Sequence, residues 1–297
     1  MADRVERIGQ AQRERLFHID FRVQFLGTVA RADLTRRFGI AEAAATRDLT
    51  HYRRLAPANL DFDGRAKIYR RADGFSPLFP HDPARTLEAL AEGIGDDAAG
   101  AIAPHVRTER PLRLNHPEID VISAVCRAIA QRRALAVHYV SLVSGATQRE
   151  ILPFALADTG GRWHARAFDR RRSRFVDFVL TRIREARVLD DGPRPGEESE
   201  SDIQWMRTVD LELVPHPGLV RPEAVSADYG MVAGVLRVRL RAALVGYALL
   251  HWSVDATPDH SLSPARHHLW LRNATALEGV ENLGIAPGFG DRPAAAP

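Results

Sequence analysis

The chain has a single cysteine, Cys126, in 297 residues. One cysteine excludes an intrachain disulfide and any zinc site built from several thiolates, and it fits a reducing compartment such as the cytoplasm. No stretch approaches the ~20 apolar residues that a membrane-spanning helix needs. The opening MADRVERIGQAQRER has no apolar signal core, so no membrane association is expected. A Walker loop, GxSxG, HExxH and paired CxxC motifs are all missing, so no catalytic residue and no cofactor is nominated. His251 and the pair His267–His268 lie outside any convincing ligand spacing, and no metal site is expected. Lysine is nearly absent: Lys67 is the only one among 41 basic residues. A GC-rich coding sequence would by itself favour arginine, so the positions of the arginines are informative and their number is not.

Hydrophobic residues make up 45% and charged residues 27% of the chain, which is the balance of a globular protein. At roughly 100–200 residues per domain, two or three domains are expected. The net charge of +3 is unevenly spread. Residues 1–80 carry 15 basic and 10 acidic residues, and 81–125 carry 4 and 8. Residues 126–190 carry 13 and 6, and 191–297 carry 9 and 14. Two basic blocks therefore alternate with two acidic ones, a pattern that suggests two separate anionic partners.

The N-terminal block predicts helices. ERLFHIDFRVQFLG (14–27) is apolar-rich and stops at Gly27, after which Thr28 could cap the next element. VARADLTRRFGI places Leu34 and Phe38 on one face of a short helix that ends at Gly39. A third helix is expected over 41–55, with Ala45, Leu49 and Tyr52 spaced i, i+4, i+7 as a buried stripe. LDFDGRAKIYRR then reads as a hairpin about the Asp63-Gly64 turn. Two helices, a tight turn, a third helix and a hairpin are the order of a winged helix-turn-helix.

With Ala45 turned inward, Ala43, Thr46, Arg47, Thr50 and Arg54 cluster on the outward face of the third helix, which carries no carboxylate. Small residues allow close approach to a major groove, Arg can fork onto guanine, and Thr can reach a base edge or phosphate. Arg53 sits at the edge of this face. Arg65, Lys67 and Arg70, with Arg71, could meet the DNA backbone from the wing. The alternative is a solvated face of a small helical bundle.

Residues 81–125 read as a helical linker, with a loop over 91–104 and a helix over 118–133 leading into the next domain. Five short alternating segments follow between 135 and 190: ALAVHYVSL, REILPFALA, RWHARAF, RFVDFVLTRI and ARVL. Such a set suggests a small β-barrel over 126–190. Residues 191–202, DGPRPGEESESD, read as a polar linker. The segment to about 280 mixes strands, a helix and the apolar run 235–252 in the manner of a small α/β domain. Residues 281–297, rich in Gly, Ala and Pro, are expected to be a disordered tail. Trp163, Trp205, Trp252 and Trp270 suit a core or an interface.

The stretch 161–183, GRWHARAFDRRRSRFVDFVLTRI, carries seven arginines. Strand alternation puts His164 and Arg166 on one face, Arg174, Phe178 and Arg182 on a face of the next strand, and Tyr139 and Ser141 together on a third, with Arg149 just before the ILPF strand. Arg, His, Tyr and Ser on neighbouring strands could converge on a pocket for phosphates and bases. The alternative is that Arg166 and Arg182 form structural ion pairs with Asp169, Asp177 or Glu185. The Arg170–Arg172 run reads as a solvated turn.

The order HYVS, SG, REILPFAL, GRWHARAFD, FVDFVLTRI resembles the WYL domain of bacterial transcriptional regulators. The name-giving strand here reads Trp163-His164-Ala165, so the motif's tyrosine and leucine are both replaced. The histidine, together with LELVPHPGLVRPEAVSADYG and VRLRAALVGYALLHW, is similar to the WYL regulators found beside the phage-defence operons BREX and CBASS. IAEAAATRDLTHYRRL likewise resembles winged-helix repressors that carry Arg-Asp-Leu in the reading helix. The resemblance implies an α+β multidomain chain: a winged helix-turn-helix (1–80), an SH3- or Sm-like barrel with a ligand pocket, and a small α/β C-terminal dimerisation domain (191–280). It also implies a homodimer that represses its own operon on an inverted repeat of double-stranded DNA until an anionic nucleotide or oligonucleotide effector arrives. Tyr139, Ser141, Arg149, His164, Arg166 and Arg182 occupy the pocket positions. An RNA-binding or assembly module working through the basic barrel, and an enzyme acting on nucleotides, are the other classes considered.

Overall fold

The computed structural model describes residues 8–92, 106–109, 111 and 114–289. The loop expected over 91–104 lies, from residue 93 on, outside the described residues. The chain divides into two compact units, Met1–Leu112 and Arg113–Pro297. Among the described residues no helix is long and apolar enough to cross a membrane.

The first unit is built on three helices, α1 (Gln10–Leu26), α2 (Arg31–Phe38) and α3 (Glu42–Leu55). Gly27 and Gly39 end the first two at φ +74° and +62°, a left-handed conformation in which a side chain is strained. Leu16, Ile19 and Val23 of α1, Leu34 of α2, and Ala45, Leu49 and Tyr52 of α3 are all fully buried and form one core. The wing is β2 (Leu60–Asp63) and β3 (Ile68–Arg71), in a sheet of order β1-β3-β2. Thr28 does not cap α2 as expected. Thr28–Val29 form β1, paired antiparallel with Arg70 and Tyr69, and Ala30 takes the N-cap position. The left-handed turn at Gly27 sends the chain back against the wing before the next helix starts. The Asp63 carboxylate accepts the amides of Arg65 and Ala66, which closes the wing turn. Helix α4 (Pro83–Glu92) follows, its first turn capped by Asp82.

The second unit begins with α5 (Ile119–Gln131), whose stripe Val121, Ala124, Val125 and Ala128 is buried against Leu135, Val137, Ile151 and Ile183. A boundary at 126 would cut this helix. Its apolar face belongs to the barrel core, so that body starts before residue 119. Five antiparallel strands follow: β4 (Leu135–Ser141), β5 (Gly145–Asp158), β6 (Trp163–Asp169), β7 (Arg174–Val179) and β8 (Ile183–Val188), in the order β7-β6-β5-β4-β8. β5 pairs with β4 up to Ile151 and with β6 from Ile151 on, and it bulges between Pro153 and Ala155. Bulges bend a strand, and this one carries the sheet around its corner. The edge strands β7 and β8 are joined by a single 3-10 turn, Leu180–Arg182.

Beyond the barrel come α6 (Ile203–Met206), β9 (Thr208–Pro215), α7 (Pro222–Asp228), β10 (Leu236–Arg241), α8 (Val245–His251), β11 (Val254–Asp255) and β12 (Leu269–Leu271). Their sheet runs β10-β9-β12-β11, with only β11 and β12 parallel. The apolar run 235–252 is split between strand β10 and helix α8. Two expectations change here. The 191–202 segment is not a free linker, because Glu197 and Asp202 are buried on the barrel. The tail does not begin at 281. Asn282 accepts from the Gly246 amide and donates to the Ala243 carbonyl, and Ala286 is buried. Residues 290–297 lie outside the described residues.

Candidate functional site

Helix α3 carries the first site. Ala43, Thr46, Arg47, Thr50, Arg53 and Arg54 are all exposed. The hydroxyls of Thr46 and Thr50 donate to the carbonyls of Glu42 and Thr46, at 2.9 and 2.8 Å. Each hydroxyl thereby uses its proton within the helix, on a residue that is exposed. Of the two carboxylates of the same helix, Glu42 in the first turn is exposed and faces Arg31 at 3.5 Å, whereas Asp48 is turned away from this face and is 2% exposed. It accepts Arg15 Nε at 2.6 Å and Gln12 Nε2 at 2.9 Å from α1. Beyond its first turn the outward surface thus carries cations and no carboxylate. Arg53 stacks over the Tyr69 ring of the wing. Arg65 and Lys67 are exposed at the wing tip, where Lys67 adopts φ +56°. Arg70 is also exposed, but it is paired with Asp63 at 3.0 Å, so the wing tip offers Arg65 and Lys67 as its less committed charges. Burial, then the bond to Asp20, pushes the Tyr52 phenol well above its ordinary pKa, so it stays protonated as a donor.

In the second unit the arginines of the hairpin behave differently from one another. Arg166 is 5% exposed. Its fork meets Asp202 with Nε at 2.7 Å and Nη2 at 3.1 Å, and Nη1 lies 3.3 Å from Asp177. Burial alone would lower its pKa, but the two carboxylates outweigh that and raise it. Arg149 is equally buried and pairs with Asp169 at 2.8 Å, at the far end of β6. Arg170 does not lie in a solvated turn. It binds Glu197 at 2.9 Å, the Gly192 carbonyl and Asp191. Arg171 and Arg172 are exposed as expected.

Tyr139, His164 and Arg166 lie near Tyr247 of α8, and Arg182 lies close enough to act on the charge of His164. The His164 and Tyr247 rings lie 5.0 Å apart, and the Tyr247 hydroxyl donates to Asp177 at 3.1 Å. Burial raises the Tyr247 pKa and Asp177 adds to it, while Arg166 opposes and Tyr139 adds a little. Burial also lowers the His164 pKa. Asp177 opposes that shift, and the charges of Arg162 and Arg182 reinforce it. The Tyr139 hydroxyl accepts from the Val179 amide. Ser141 and Arg149 stand apart from this cluster, and Ser141 Oγ accepts the turn amides of Val143 and Ser144. Beside the cluster a cleft of about 230 Å³ between barrel and C-terminal segment is lined by Arg166, Arg174, Gln204, Tyr247 and Asn282, among others. The sequence reading missed Asp202 and Tyr247, and it placed Arg174 on the face of Arg182 without assigning it to the pocket. Asp202 had no local signal, because it sits 36 residues from its arginine.

A buried His–Asp pair, His216 and Asp255, is structural. Nε2 faces Asp255 at 3.1 Å, and Nδ1 accepts the Gly218 amide, so both ring nitrogens are used.

Three family models match the chain. The BrxR transcriptional regulator winged helix-turn-helix domain covers residues 11–91, the WYL domain 120–188, and the BrxR C-terminal dimerization domain 208–277. A DNA-binding transcriptional repressor CapW from Stenotrophomonas maltophilia is 34% identical over 277 residues, 90% of this chain and 91% of that one. CapW of Escherichia coli (strain KTE188) is 31% identical over 276 residues, 88% and 89%. CapW of Pseudomonas aeruginosa is 31% identical over 258, 82% and 83%. A solved structure, proteasome accessory factor B/C of Arthrobacter aurescens, overlaps at a TM-score of 0.27 and 16% identity, over 81% of this chain and 44% of that one. The chain belongs to the BrxR/CapW family of transcriptional regulators, not enzymes, which join a winged helix-turn-helix, a WYL domain and a C-terminal dimerisation domain and are associated with BREX and CBASS defence.

Proposed function

We propose that this protein is a homodimeric DNA-binding repressor that reads an inverted repeat upstream of its own defence operon and is released by an anionic, nucleotide-like or oligonucleotide effector held at the WYL barrel. The observation that carries the DNA reading is the outward face of α3: exposed Ala43, Thr46, Arg47, Thr50 and Arg54, with Asp48 tucked inward. A two-fold dimer presents two such helices to half-sites one or more helical turns apart. The pairing of Arg149, Arg166 and Arg170 with carboxylates weighs against the barrel as a general nucleic-acid surface. The effector reading rests on Tyr139, His164 and Arg166 near Tyr247, with Arg182 close enough to act on His164. An anion arriving there would have to displace Asp177 or Asp202 from Arg166. That exchange favours one arrangement of the dimer over another, as differential affinity requires.

The test is a gel-shift on the protein's own upstream DNA, with random DNA as competitor, across a salt series. A specific shift of dimer stoichiometry that weakens steeply with salt is expected. Arg47→Ala should abolish the specific shift, and retained specific binding would remove α3 as the reading helix. A short single-stranded oligonucleotide titrated into the same assay should release wild-type protein but not Arg182→Ala. Equal release from both would remove the barrel cluster as the effector site.

A further inference from the structure

The apolar stripe of α3 holds the helix in the core and sets which face points outward, but hydrophobic contact is non-directional and fixes the rotation about the helix axis less sharply than directional bonds do. Two polar anchors lie on the buried side of α3, four residues apart. At the first, Asp48 accepts Arg15 and Gln12 of α1. At the second, the Tyr52 hydroxyl donates to Asp20 of α1 at 2.5 Å. Asp20 is fully buried and accepts three further bonds, all from the segment that leaves the wing: the Leu78 amide at 3.0 Å, the Phe79 amide at 3.3 Å and His81 Nε2 at 3.0 Å. Asn59 ties the same hydroxyl to the wing exit. Its Nδ2 donates to Tyr52 Oη at 3.0 Å and to the Ser76 carbonyl at 2.7 Å, and its Oδ1 accepts the Ser76 amide.

We infer that Tyr52 and Asp20 are positioning residues for sequence reading: their bond sets the rotation of α3 about its axis and ties that setting to segment 76–81, the exit toward the rest of the chain. The inference rests on α3 being the reading helix. Geometry gives the stakes. Side-chain tips lie roughly 5–6 Å from a helix axis, so a 20° rotation moves them by about 2 Å. Hydrogen bonds to base edges span only ~0.5 Å of useful distance. Such a rotation breaks base contacts, whereas flexible arginines follow the phosphates. Loss of the anchor should therefore lower sequence specificity and leave the sequence-independent affinity in place.

Tyr52→Phe tests this, because it keeps the ring in the core and removes only the hydroxyl, and Asp20 retains its other three donors. Affinities for the upstream DNA and for random DNA are measured across salt. The expected result is a fall of at least fivefold in the specific-to-random ratio, with random-DNA affinity and salt slope unchanged. A ratio within twofold of wild type in a folded variant overturns the inference. Should Tyr52→Phe fail to fold, Asp20→Asn replaces the charged acceptor of the same bond with a neutral one, and the same two outcomes apply. If wild type itself shows no specific binding, the DNA-reading proposal fails; if wild type is specific and the folded variant matches it, only the positioning role fails.

Discussion

Arg166 and Asp202 allow a quantitative test of how the second unit is held together. Both are nearly inaccessible, and the fork makes two short bonds. Removing one partner of such a pair strands the other charge, which typically costs about 3–5 kcal/mol. Arg166→Ala should fall near 3, because Asp202 still accepts the Gln204 and Trp205 amides at the start of α6. Asp202→Ala forfeits that cap, worth ~1 kcal/mol, but leaves Arg166 beside Asp177. The double variant strands neither member of the pair, so a double-mutant cycle should return a coupling of about 2–3 kcal/mol. The assay is urea unfolding followed by tryptophan fluorescence. All four tryptophans, Trp163, Trp205, Trp252 and Trp270, lie in the second unit, so the signal reports that unit alone. A coupling below ~0.5 kcal/mol, the value of an exposed pair, would refute the picture of a desolvated tie. The same logic makes Arg166 a poor probe of effector binding, since its loss perturbs the fold directly. Arg182 is the cleaner choice.

Two further predictions concern the C-terminal segment. Gly246→Ala improves helix propensity by ~1 kcal/mol in isolation, but a Cβ there would lie 2.1 Å from the Asn282 carbonyl oxygen. A net loss of ~2 kcal/mol or more in thermal unfolding is expected, and a stabilised variant would show that 281–289 is not packed there. For Asp255, burial raises the carboxyl pKa, but bonds from the Thr257 hydroxyl and amide, the Leu262 amide and His216 outweigh it. The folded value lies below the ordinary 3.8. The stability this group contributes is complete above the unfolded pKa and is lost as pH falls through the folded one. Lowering the pH from 7 to about 3 should therefore shift the urea midpoint less in Asp255→Asn than in wild type. Identical shifts would contradict the assignment.

The helical part of the fold was legible because its signals are local. Leu16, Ile19 and Val23, and Ala45, Leu49 and Tyr52, recur at the helical period, and Gly27 and Gly39 stop their helices where a left-handed residue is needed. The outward face of α3 follows from the same period, so Ala43, Thr46, Arg47, Thr50 and Arg54 could be named together. β1 escaped notice because two residues carry no period and become a strand only by meeting β3. The barrel strands were visible by alternation, but the bend of β5 was not, since it depends on which partner each half finds.

Charge marks the limit of what the sequence by itself determined. It fixed the helix-turn-helix order, the five barrel strands and the alternation of basic and acidic blocks, all properties of neighbouring residues. It could not say where those charges are spent. The blocks suggested two anionic partners, yet Arg166 and Arg170 of the basic hairpin close on Asp202, Asp191 and Glu197 of the acidic segment that follows. Partners 21–36 residues apart meet only when the barrel brings them together. Desolvation in that enclosed place then makes a paired arginine the stable one, because a buried charge left alone would cost several kcal/mol. Tertiary structure alone therefore decided that Arg149, Arg166 and Arg170 are used to hold the second unit together, while Arg47 and Arg54 on α3 stay exposed.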